Sequence, residues 1–110
     1  MKVDHKGHSV FIHDTQNDVT VFLEKVTAQY HSFSSYNIVI DLSKNANVLL
    51  QDIKLFDALS KTHKNAKKSF VVVAINLDYN KISSKITVVP SLQEAHDIIE
   101  IEEIERDLGF

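Results

Sequence analysis

Two short alternating segments open the chain, with Val3 in the first and Val10 and Ile12 in the second, on either side of His5-Lys6-Gly7-His8. A period of two is the pattern of a half-buried strand. Gly7 can take positive φ without steric cost, so the segment predicts a β-hairpin. Asp14, Thr15, Asn17 and Asp18 follow with helix-capping side chains. Val19, Phe22, Leu23, Val26, Tyr30 and Phe33 recur at three- and four-residue steps and lay an apolar stripe along a helix that ends at Ser32, Ser34 and Ser35. Asn37-Ile38-Val39-Ile40-Asp41-Leu42 is too short and too β-branched for a core helix and reads as a buried parallel strand.

A polar loop over 43–47 comes next. Leu49, Ile53, Phe56 and Leu59 then predict a second amphipathic helix to about His63, with Lys61, Lys64, Lys67 and Lys68 at the end where cations suit the helix dipole. Residues 70–75 read as another buried strand, 77–84 as irregular chain or a short helical turn, and 86–89 as a last strand stopped by Pro90. Ser91, with Glu94 three residues on, opens a final helix as in a capping box. The order β-β-α-β-α-β-(short α)-β-α predicts an α/β sandwich: a mixed, mostly parallel central sheet with helices and an N-terminal β-hairpin.

The final helix carries a discontinuity. At about 100° per residue, Leu92, Ala95 and Ile99 share a core-facing side. Ile98, Ile101, Ile104 and Leu108 gather on the roughly opposite side, and Glu102, Glu103 and Arg106 take over the first. Either the helix bends near Glu100 and buries the isoleucines, or Ile101, Ile104 and Leu108 form an interface with a second copy or another partner.

At 110 residues the chain suits a single domain over 1–110. Its 44% apolar and 25% charged content excludes a disordered or collagen-like chain. No apolar run approaches the ~20 residues that span a bilayer, so no membrane partner is expected. The first residues lack the apolar core of a signal peptide, and the absence of cysteine removes disulfides, thiolate zinc sites and a cysteine nucleophile. The expected location is cytoplasmic. The net charge of −3, and a lysine cluster with no aromatic among it, argue against nucleic acid as a partner.

The chemistry-bearing residues point away from catalysis. The six histidines include no helical i, i+4 pair beside a glutamate, so they read as surface or capping residues rather than metal ligands, with His63 and His96 partly exposed. No serine sits in a Gly-x-Ser-x-Gly elbow, and two glycines cannot build a phosphate loop or a dinucleotide fingerprint. No cofactor is expected. Asp41, at a strand end where α/β proteins place ligands, is the best-positioned acid, with loop capping as its ordinary role.

Through this element order, and most specifically through Asn37-Ile38-Val39-Ile40-Asp41-Leu42-Ser43, the chain resembles the STAS domain, the fold of anti-sigma factor antagonists. The resemblance covers nearly the whole chain. In that family an Asp-Ser-Ser-Gly or Asp-Ser-Thr-Gly segment opens the second helix and is phosphorylated by a partner kinase. The matching segment here is Leu49-Leu50-Gln51-Asp52, which has no hydroxyl. Adding about −1.5 to −2 charges at that helix start is therefore not available as a switch. The stretch over 87–108 is also similar to short bacterial chains labelled ribonuclease Z, but the nuclease signature His-x-His-x-Asp-His is absent and no nuclease chemistry is expected.

The resemblance implies a non-catalytic regulatory or scaffolding module that binds a protein partner without phosphorylation, through Ser43, Lys44, Asn45, Asn47, Gln51 and Asp52. A small-ligand or nucleotide sensor using the same strand-end loop is the first alternative. An accessory role beside a true ribonuclease Z is the second.

Overall fold

The computed structural model describes residues 1–109. β1 (Lys2–Lys6) and β2 (Ser9–His13) form the expected antiparallel hairpin, with Lys6 opposite Ser9 across a turn in which Gly7 has φ of 59°. β3 (Asn37–Asp41), β4 (Phe70–Val73) and β5 (Thr87–Val89) add in parallel to β2, in the spatial order β1-β2-β3-β4-β5. The chain is thus α/β with a five-stranded mixed, mostly parallel sheet.

Strands that add one after another in the same direction place their connections on one face of the sheet, because such crossovers share one hand. The helices between β2 and β4 all lie there: α1 (Val19–Ala28), α2 (Tyr30–Phe33), α3 (Leu50–Lys54) and α4 (Asp57–Asn65). They enclose the larger core with Val10, Ile12, Ile38, Ile40, Phe70 and Val72. α5 (Leu92–Asp107) follows the last strand and covers the other face, where Ala95 and Ile99 pack on Phe11, Val39, Val71, Val73 and Val89.

The structure refines several sequence expectations. The single helix expected to run to Phe33 is broken at Gln29, whose backbone N–H is shared between the carbonyls of Lys25 and Val26. The second predicted helix divides at Leu55 and Phe56, where hydrogen bonds of the tighter i→i+3 type intervene. Leu49 caps this helix pair from outside and is 55% exposed, so it does not belong to the core stripe that Ile53 and Phe56 form. β4 ends at Val73, before the left-handed Asn76. Residues 79–81 make the short helical turn, a single 3₁₀ turn.

α5 resolves the discontinuity in its sequence. It does not bend to bury the isoleucines: it is one unbroken helix, capped by Ser91 Oγ accepting from Glu94 N at 3.2 Å. Leu92, expected in the core, is exposed, as are Ile101, Ile104 and Leu108, while Ile98 packs partly against the core. The physical reason lies at the amino ends of β3 and β4. There the sheet is polar, and the second half of the helix meets it with polar side chains. Arg106 donates to Ser69 Oγ at 3.1 Å and to Asn37 Oδ1 at 3.2 Å, and the Asn37 amide donates to Glu103. Asn37 Oδ1 also accepts from the Ser69 backbone N–H at 2.9 Å. No helix among the described residues is long and apolar enough to cross a membrane.

Candidate functional site: the loop after the third strand

The carboxyl ends of β2 and β3 lie side by side, with His13 and Asp41 as register partners. The chain leaves β3 through a loop that its own side chains hold in shape. Asp41 Oδ1 accepts from Ser43 N at 2.9 Å, and Asn45 Oδ1 accepts from Asn47 N at 3.0 Å. Asp52 Oδ2 accepts from Leu49 N at 2.9 Å and ties the loop end to the first turn of α3. Such local side-chain bonds replace the ladder bonds the backbone gives up on leaving the sheet.

Across from this loop, β2 runs into a matching turn. Asp14 Oδ1 accepts from Gln16 N at 3.0 Å, and Asp18 caps α1 by accepting from Val21 N at 3.1 Å. Asn17 takes a left-handed conformation, φ 55°, which asparagine tolerates better than most residues. The two loops border a polar cleft of about 660 Å³, lined by residues 16–20 and 44–47 together with Asp52.

The residues expected to contact a partner divide into three groups by exposure. Lys44, Asn47 and Gln51 are exposed, and Ser43 and Asp52 are half-buried. Asn45 is 8% exposed, so it shapes the loop and presents little surface of its own. Leu49, not among the expected contacts, is a large apolar side chain exposed beside them.

Beneath the loop lies a polar cluster that the sequence did not reveal. The His13 ring sits between two acids, with Nδ1 2.6 Å from Asp41 Oδ2 and Nε2 3.0 Å from Asp4 Oδ2. Burial alone would push the Asp41 carboxyl up. Hydrogen bonds from the Ser43 hydroxyl and backbone N–H, and the neighbouring His13, outweigh it and hold the carboxyl below its ordinary value. Carboxylate oxygens thus lie against both ring nitrogens of His13. No group of three or more metal-binding side chains fit to hold an ion occurs among the described residues.

A second histidine also departs from expectation. His63 is completely buried, not partly exposed. Its Nε2 lies 2.7 Å from the Tyr36 carbonyl and its Nδ1 2.7 Å from the Tyr30 hydroxyl. The Tyr36 carbonyl can only accept, so Nε2 carries the proton and Nδ1 accepts from Tyr30. Burial lowers the pKa of His63, with Lys68 and Arg106 adding to the effect against the Tyr36 contact. Its position four residues beyond Leu59, on the stripe of Ile53 and Phe56, was the signal that could have placed it in the core.

Ser43 bonds to an acid rather than to a base, and His13 is held by acids on both nitrogens. No family model matches the chain, and no curated protein matches it significantly.

Proposed function

We propose that this protein is a non-catalytic, cytoplasmic regulatory or scaffolding module that binds a protein partner through the loop after β3 and the start of α3. The observation that carries the reading is Leu49, 55% exposed at the end of a loop whose backbone is fixed by Asp41, Asn45 and Asp52. A large apolar side chain on a preorganised polar surface loses little conformational entropy on docking. The element order and the segment over 37–43 support a STAS-like origin. Leu50 and Gln51 where that family has hydroxyls support a contact independent of phosphorylation.

The test is capture of the partner by the tagged chain from its native cells, quantified by mass spectrometry. The wild type retains a partner that is lost on Leu49→Asp and on the pair Asn47→Trp and Gln51→Trp. A partner that stays bound to all of these variants places the contact elsewhere.

The polar cleft of about 660 Å³ beside the loop favours one second reading, a small polar ligand such as a nucleotide. A ligand that binds the folded state raises the unfolding temperature by mass action. A thermal-shift screen with nucleotides that moves the wild type but not Lys44→Ala supports it.

A further inference from the structure

A different surface carries its own inference, independent of the loop. α5 is unbroken, and its inward side changes from apolar (Ala95, Ile99) to polar (Glu103, Arg106) along its length. Its outward side is therefore left with Ile101, Ile104 and Leu108, which are 57%, 57% and 67% exposed. These residues follow one another at helical i, i+3 and i, i+4 steps and make one continuous stripe.

The rim that α5 itself supplies is acidic, while Lys64, Lys67 and Lys68 of the neighbouring segment share a cleft with Glu102 and Glu105 on one side. Asp97, Glu100, Glu105 and Asp107 are exposed and lie within one turn of it on either side. The helix holds seven acidic side chains against a single arginine, and that arginine is turned inward onto Ser69 and Asn37. We propose that this stripe is the docking face for a short cationic amphipathic helix supplied by a partner protein. The partner's apolar side chains meet Ile101, Ile104 and Leu108, and its lysines or arginines meet the acidic rim.

Charge decides among the occupants. A second copy that met this face with its own α5 would set seven acids against seven, and like charges brought together suppress a pairing. The lysine-rich side of α4 in a second copy offers the right sign, but α4 itself contributes no exposed large apolar side chain to match the stripe. Such a contact would also join unlike faces and need not close. Nucleic acid and anionic membranes are repelled by the rim. The stripe runs for two helical turns, ~10 Å, which fits a short helical segment better than a broad domain surface.

The experiment titrates the full chain into a labelled synthetic helix of leucine and lysine, with leucine at heptad positions a and d, and into the same helix with glutamate for lysine. The lysine helix is expected to bind and the glutamate helix not to. Binding weakens at least tenfold between about 0.1 M and 1 M salt, as the screening length falls from about 10 Å to 3 Å. The pair Ile101→Ser and Ile104→Ser abolishes binding with an unchanged circular dichroism spectrum, and Glu100→Gln with Glu105→Gln weakens it severalfold. Leu108→Ser, at the helix end, provides a second apolar variant should the pair fail to fold.

Equal binding by the isoleucine pair and the wild type, or by Leu108→Ser where the pair does not fold, overturns the proposal. So does equal binding of the two synthetic helices. Self-association of the wild type in sedimentation that Ile101→Ser and Ile104→Ser abolish also overturns it, because a second copy then covers the stripe.

Discussion

His13 and Asp41, 28 residues apart in sequence, face each other across two parallel strands with the ring nitrogen Nδ1 2.6 Å from the carboxylate oxygen Oδ2. Asp4 of the edge strand closes on the other ring nitrogen, and Asp41 also supports the turn at Ser43. A single ring thus fastens the edge hairpin to the parallel sheet directly below the loop proposed to bind a partner.

Replacement of Asp41 by Asn keeps the shape and removes the charge. The buried side chain then opposes His13 and the Ser43 N–H with weaker acceptors, and stability falls by about 1–3 kcal/mol. The folded protein holds the Asp41 pKa below its ordinary 3.8, so its contribution is present above that pH and lost as pH falls through the folded value. Denaturant unfolding across acid pH should show a shallower loss of stability in Asp41→Asn than in the wild type. Identical slopes would remove Asp41 as an acid-sensitive group.

His63 acts in a higher window. Its folded pKa lies below the ordinary 6.5, because a buried imidazole resists charging. The unfolded chain therefore binds the proton more readily, so stability is highest above that pH and falls as pH drops through the folded pKa. His63→Gln should cost about 1–3 kcal/mol at neutral pH, through lost packing against Tyr30 and Phe70. It should also flatten the stability profile below about pH 6.5. The difference between the two profiles isolates His63, and parallel profiles would show that it does not titrate with unfolding.

The contact between Asn37 and Arg106 holds the second half of α5 to the sheet. Asn37→Ala orphans the buried Ser69 N–H as well as releasing Arg106, at about 2–3 kcal/mol in all. Arg106→Ala alone costs less, since Asn37 keeps its bond to Ser69. A double-mutant cycle should give about 0.5–2 kcal/mol of coupling between the two residues. Coupling near zero would mean that the bond between Asn37 and Arg106 does not help to hold α5.

Much of this architecture was legible in the linear pattern, because it rests on local chemistry. A period of two marked β1 and β2, a short β-branched run marked β3, Gly7 marked the hairpin turn, and Asp18 and Ser91 marked helix starts through the bonds they make in the structure. The shared direction of the parallel strands followed from the helices between them, and their spatial order came from the structure. The proposed contact loop was visible only as a polar stretch after an apolar strand. Nothing in it distinguished Asn45, which shapes the loop from inside, from Asn47, which faces outward.

Relations between distant segments had to wait for the folded molecule. Whether His13 meets Asp41 depends on the register of β2 against β3, and a slip of one residue would turn the two side chains to opposite faces. The course of α5 was equally undecided in its own residues. Its periodicity allowed a bend that hid Ile101 and Ile104 or a straight helix that displayed them. The polar patch of Asn37 and Ser69, some seventy and forty residues earlier, selected the form that displays them. Buried polar groups must find partners, and a helix whose inner side satisfies them keeps its remaining isoleucines turned to the outside.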